Sequence, residues 1–121
     1  MNTTAAHDEK MAKLTLASVY PHYINKLEKK GRTNEEFKEV FFWLTGFDEN
    51  QLQTIIVEKW TFEKLFSKAK LNKDAPMITG VICGYRIEAI ENELTRNVRY
   101  LDKLVDELSK GKKMEKVLRS K

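Results

Sequence analysis

The sequence predicts an all-α fold, a compact single-domain bundle of about five to seven helices. Three observations carry this expectation. Apolar residues recur at helical spacing along most of the chain, and residues that cap helices bound each run. The 121 residues include only five Gly and two Pro, too few for a turn-rich β sandwich. A chain of this length can also bury one core without disulfide or metal staples. The expected division is a loose leader over 1–12, polar and rich in small residues, followed by a single helical domain over 13–121.

The elements follow in order. Ser18 is placed to cap a first helix with the stripe Tyr20, Tyr23, Ile24 and Leu27. Pro21 then falls in its first turn, where a missing N–H is harmless, and Gly31 ends the helix in the left-handed conformation. Thr33 and Glu36 form a capping box ahead of Phe37, Val40, Phe41 and Leu44, with Gly46 as the stop. Asp48 and Gln51 repeat that start signal for Leu52, Ile55 and Ile56. Thr61 caps a fourth helix carrying Phe62, Leu65, Phe66 and Ala69. The short connections between these elements imply antiparallel packing.

The segment from Asp74 to Ser109 carries two stripes. Ile78, Val81, Ile82, Tyr85 and Ala89 form one; Ile90, Leu94, Val98, Leu101, Leu104, Val105 and Leu108 form the other. At 100° per residue the two differ in direction by roughly 140°, which predicts a break between about Ile90 and Leu94. The first stripe reads as a helix. The alternative is an α+β fold in which 81–90 is a strand paired with the β-branched segment 54–57. Beyond Gly111, Met114, Val117 and Leu118 predict a short amphipathic helix.

Charge is distributed unevenly. The last twelve residues hold six basic groups against Glu115, whereas the whole chain is only +4, so everything before Lys110 sums to −1. The pI of 9.1 therefore describes a tail and not a basic body. Lys112, Lys113, Lys116 and Arg119 could contact a polyanion, but such affinity is weak and sequence-blind, and no nucleic-acid recognition motif accompanies them. Nucleic acid is not the expected partner. One cysteine, Cys83, excludes an internal disulfide and points to a reducing cytoplasm. No apolar run approaches the ~20 residues a membrane span needs, and the start lacks the pattern of a signal peptide.

Few residues suggest chemistry. His7 and His22 lie apart, with no ligand cluster near either, and Asp102, Asp106 and Glu107 share their neighbourhood with Lys103 and Lys110 as on a solvated helix face. No metal site and no cofactor are expected. Cys83 lies in the apolar run VICGY, which reads as a buried, inert core position. Gly80 and Gly84, four apart, read on a helix as a close approach to a neighbour. Arg86 and Glu88 flank apolar residues, so Arg86 is expected either to pair with a carboxylate such as Asp102 or to receive an anionic ligand. Phe42 and Trp43 project away from the stripe of their helix, so VFFWL is apolar nearly all round, the mark of a central helix or of a partner surface.

As a whole, Leu16 to Arg119 resembles a family of small bacterial proteins known as domain of unknown function 2200. The resemblance rests on VYPHYINKLEKKGRT (19–33), WLTGF (43–47), ITGVICGYRIEAIE (78–91) and RYLDKLVDELSKGKKMEKVLR (99–119). It implies a bacterial cytosolic protein with this segment order, and carries over no catalytic or binding residue. Where the family tends to place a proline after the IEAIE-like motif, this chain reads Asn92-Glu93-Leu94.

The expected role is non-enzymatic: a protein-interaction domain, possible homodimer included, acting through Phe42 and Trp43. The alternative is a small-molecule-binding or enzymatic domain with a pocket near Cys83, Tyr85 and Arg86. A weaker alternative is association with nucleic acid through the basic tail.

Overall fold

Residues 3–120 are described by the computed structural model. In chain order they form α1 (Ala5–Lys13), α2 (Leu16–Glu28), α3 (Asn34–Thr45), α4 (Glu49–Val57), α5 (Phe62–Lys68), the short strands β1 (Val81–Ile82) and β2 (Tyr85–Arg86), α6 (Glu93–Ser109) and α7 (Met114–Val117). Single 3-10 turns at Ala75–Met77 and Ile87–Ala89 flank the hairpin. The fold is all-α with one small β element.

Local chemistry explains most of the starts and stops. The Thr33–Glu36 and Asp48–Gln51 capping boxes both form, with each side chain satisfying the other residue's backbone N–H. The Thr61 side chain accepts from the Lys64 N–H at the head of α5. Gly31, at φ +75°, sits in a Schellman closure: Arg32 N–H reaches the Leu27 carbonyl and Gly31 N–H that of Glu28.

Four expectations are corrected. The stretch read as a leader contains α1, whose Thr4 side chain caps the His7 N–H and whose Met11 is buried; residues 1–2 lie outside the described residues. The second helix is capped by Thr15 and not Ser18, so Pro21 lies inside α2 instead of in its first turn. The segment 78–90 is no helix. Val81 pairs with Arg86 and Ile82 with Tyr85 in an antiparallel hairpin, whose two turn residues, Cys83 (φ +52°) and Gly84 (φ +82°), both adopt the left-handed conformation that helices exclude. Gly80 and Gly84 therefore serve the hairpin and not a helix contact. Nor does the strand pair with 54–57, which lies in α4. The break itself is real: Asn92 caps the Thr95 N–H, and α6 begins at Glu93.

The helix α6 is the axis of the molecule, packing against α1, α2, α3, α5 and α7. Val98, Leu101, Leu104, Val105 and Leu108 are all buried, each side chain stabilising by about 1.5–3 kcal/mol. The same helix buries Asn97, Arg99, Asp106 and Glu107, so one side of it carries charge into the fold. Opposite, α3 supplies Phe37, Val40, Phe41 and Leu44, all without solvent exposure. Tyr23, Phe37 and Phe41 stack in series at 5.7 and 5.9 Å between centroids, tying α2 to α3. The entries of α2 and α5 are joined by a two-residue bridge in which Leu16 N–H donates to the Trp60 carbonyl and Phe62 N–H to that of Leu14.

Candidate functional site

A pocket of about 340 Å³ opens between α2, α6, the end of α1 and the hairpin turn. The helix α2 contributes Val19, His22, Tyr23 and Lys26, which recur at i, i+3, i+4 and i+7 and so share one face. Val98, Arg99, Asp102 and Val105 face them from α6. Met11, Leu14, Phe62 and Ile82 extend the apolar wall, and Cys83 stands at the rim. Most of the lining is hydrocarbon, and three of its polar groups, Tyr23, Asp102 and Arg99, are joined by hydrogen bonds.

That trio extends to His7 and Tyr85, while Lys26 belongs to a separate ion-pair group. The Tyr23 hydroxyl donates to Asp102 Oδ1 at 2.5 Å, and Arg99 Nη1 donates to Asp102 Oδ2 at 2.8 Å. The second Arg99 nitrogen, Nη2, lies 3.4 Å from His7 Nε2, and the guanidinium sits 5.8 Å from the centre of the Tyr85 ring. Tyr85 in turn meets His7 at 5.6 Å between centroids. Lys26 donates to Asp106 Oδ1 at 3.1 Å, while Lys110 pairs with the other oxygen of Asp106 at 2.9 Å.

Burial, then the charge of Asp102 and the hydrogen bond to it, push the Tyr23 hydroxyl well above the ordinary tyrosine range. It is a fixed neutral donor at physiological pH. For Asp106, burial opposes ionisation, but the hydrogen bonds from Lys110 and Lys26 outweigh it and hold the carboxyl below its usual value. Arg99 is thus paired with Asp102, and Lys26 shares Asp106 with Lys110, so three cations meet two carboxylates and leave one surplus positive charge around the pocket. Arg99 is 9% exposed, and its Nε is buried with no hydrogen-bond partner.

The residues anticipated from sequence are rearranged here. Cys83 is exposed at the hairpin tip and lines the pocket, instead of filling the core. Tyr85 braces Arg99 from the side. Arg86 points to solvent, 3.9 Å from Glu88, and pairs with no buried carboxylate among the described residues. Asp102 is occupied by Arg99, the guanidinium that sequence reasoning missed. Asp102 and Asp106 are thus held by internal partners and do not lie on a solvated face. Among the described residues no group of three or more metal-binding side chains gathers.

Phe42 and Trp43 pack partly buried against the core, and the Trp43 indole N–H donates to the Ser120 carbonyl at 2.9 Å. The tail that reaches Trp43 is docked. Val117 is fully buried, and Arg119 forms a two-pronged pair with Glu107 at 2.5 and 2.9 Å. Lys112 approaches the same carboxylate at 3.5 Å, while Lys113 and Lys116 are exposed. No helix among the described residues is long and apolar enough to cross a membrane.

Comparison with known proteins places this architecture. The chain is similar to the uncharacterized protein SP1917, whose crystal structure superposes with a TM-score of 0.84 at 38% identity, over 91% of each chain. No match is found among curated proteins. Residues 10–119 match the profile described as an uncharacterized protein conserved in bacteria. With nearly the whole domain so matched, the chain belongs to that bacterial family, DUF2200.

Proposed function

We propose that the protein is a small-molecule-binding domain whose ligand has an apolar body and one acidic group, held in the pocket beside the hairpin. One observation carries the reading: an apolar-walled pocket in which Tyr23, Asp102 and Arg99 are bonded together and the neighbouring ion pairs leave one cation in surplus. Its size lies at the small end of the roughly 300–1,000 Å³ usual for ligand sites. The apolar wall supplies affinity through area removed from water, and Lys26 and Arg99 supply the electrostatic preference. Tyr23 and Asp102 hold Arg99 in place, so the cationic group needs little reorganisation when a ligand enters.

The competing readings have less support. A partner surface at Phe42 and Trp43 meets a ring whose N–H is already taken by Ser120. A polyanion site on the tail loses Arg119 to Glu107, leaving lysines that serve solubility.

The test uses 8-anilinonaphthalene-1-sulfonate, an apolar anion, titrated into the native protein with its fluorescence recorded. Saturable one-to-one binding is expected. Lys26→Glu should weaken it about tenfold, since it reverses an exposed charge at the rim. Alkylation of Cys83, the chain's single cysteine, should block it. Binding that survives both changes unaltered refutes the assignment.

A further inference from the structure

Arg99, a cation at every physiological pH, sits in the fold at 9% exposure beside one carboxylate, and that carboxylate, Asp102, is shared with the Tyr23 hydroxyl. Its other terminal nitrogen, Nη2, faces His7 Nε2 at 3.4 Å. A guanidinium can only donate, so His7 Nε2 is the acceptor and carries no proton in this arrangement. The same imidazole rests against the Tyr85 ring, which also flanks the guanidinium. Three elements, α1, α6 and β2, thus meet at one neutral histidine.

Histidine is the side chain whose charge ordinarily changes between about pH 5 and 8. Adding a proton to His7 reverses its contact with Arg99. Donor then faces donor, and two positive charges stand where Asp102 balances one. The other charged groups around α1 do not offset this. Asp8, next in sequence, is engaged by the Thr95 hydroxyl at 2.7 Å, and Lys10, one turn further on, is itself a cation. From α5, Glu63 lines the opposite face of α1 together with Glu9. The part that can yield is α1. Met11 is its single buried residue, so its first turns are held by few contacts and lift at small cost. Arg99 and Met11 both line the pocket beside the hairpin, so the change reaches that pocket directly.

We propose that His7 is a pH-sensitive latch on the pocket beside the hairpin, which tightens its hold on an acidic ligand as the imidazole takes up a proton. With the imidazole neutral the latch is closed: His7 occupies Arg99 Nη2 and ties α1 to Tyr85. With the imidazole protonated it opens, Nη2 is free for the acid group of the ligand, and a further positive charge stands nearby. By linkage the bound anion favours the protonated imidazole in the same measure, so ligand and proton enter together. This regulation presupposes that the pocket takes an acidic ligand, as proposed above.

The probe is 8-anilinonaphthalene-1-sulfonate, titrated into the protein at about pH 5.5 and 8 and at constant ionic strength. His22, the chain's other histidine, lines the same pocket, so a His22→Gln background leaves His7 as the single imidazole. Affinity about fivefold higher at the lower pH is expected, the worth of one exposed charge contact. His7→Gln supplies an acceptor that never protonates and should bind at the weaker level at both pH values. His7→Lys is permanently positive and should bind at the tighter level at both. Near-ultraviolet circular dichroism at each pH checks that folded protein is compared. Without ligand, the amide signals of 5–9 and 81–86 in nuclear magnetic resonance should shift with the His7 ring in one titration. No binding of the probe at either pH refutes the pocket as an anion site and the latch with it. Binding that stays equally pH-dependent in His7→Gln, or amide signals that ignore the His7 ring, overturns the latch alone.

Discussion

Replacing Arg119 by alanine tests whether the basic tail is part of the fold. Glu107 is the reason the effect should be large: its side chain is 8% exposed, and Arg119, at 13%, supplies both prongs of the pair. Stripping the partner from a buried charge ordinarily costs about 3–5 kcal/mol. Here Lys112, half in solvent at 3.5 Å, can move onto the carboxylate and recover part of that. The expected loss is about 2 kcal/mol, whereas an exposed ion pair would give about 0–1. For a domain of this size, 2 kcal/mol lowers Tm by roughly 6–10 °C. Urea unfolding followed by far-ultraviolet circular dichroism reads it as a lower midpoint at unchanged slope. Fluorescence adds a local report in a Trp60→Phe background, because Trp43 loses its Ser120 contact when the tail lifts. A double-mutant cycle with Glu107→Gln should return a coupling above about 1 kcal/mol. A loss under about 0.5 kcal/mol with no coupling would falsify the reasoning and return the tail to the status of a solvated arm.

Three further outcomes follow from the geometry. The raised Tyr23 hydroxyl keeps its proton in the folded state to higher pH than in the unfolded one, so stability is full below about pH 10 and is lost as pH rises towards the folded value. Melting temperatures between pH 9 and 11.5 should fall more steeply for the parent than for Tyr23→Phe, and parallel curves contradict the assignment. Gly46, at φ +75°, leaves an added Cβ only 3.1 Å from the Lys70 carbonyl, so Gly46→Ala should destabilise by at least about 1–2 kcal/mol in urea unfolding. Cys83→Asn should stabilise by about 0.5 kcal/mol, since both turn positions have positive φ and Asn-Gly suits them better than Cys-Gly. A melting temperature lowered by that change would speak against the turn geometry.

The readable parts of the fold are those whose chemistry is local. Thr33 with Glu36, Asp48 with Gln51, and Thr61 each satisfy a backbone N–H within three residues, so their helices can be read without knowing what packs on them. The buried Val117 likewise follows from the spacing of Met114, Val117 and Leu118. The hairpin escapes such reading because Val81, Ile82 and Tyr85 suit both periods over so short a run. What decides it is the positive φ at Cys83, a residue that carries no turn signal of its own. α1 is hidden by its composition: Met11 is its single buried residue, too little for a stripe.

The pocket was legible only in outline. Cys83 and Tyr85 do lie at or beside it, but the guanidinium that lines it is that of Arg99 and not of Arg86. The choice turns on Asp102, whose charged sequence neighbours suggest solvent while its partner Tyr23 is 79 positions away. The available signal was positional. Asp102 and Asp106 directly follow the apolar positions Leu101 and Val105, which places them at the edge of the buried stripe of α6.

The placement of α1 has a consequence for how the chain is made. This helix is synthesised well before the part of α6 it docks on: the Asp8–Thr95 hydrogen bond spans 87 positions. At about 5–20 residues per second, α1 waits some 4–17 s for its seat on α6 to be synthesised. A strongly amphipathic helix would spend that interval as an exposed sticky surface. With Met11 as its one core residue, α1 has little to aggregate with, and the weak apolar pattern that hides it from sequence reading is what makes the delay harmless.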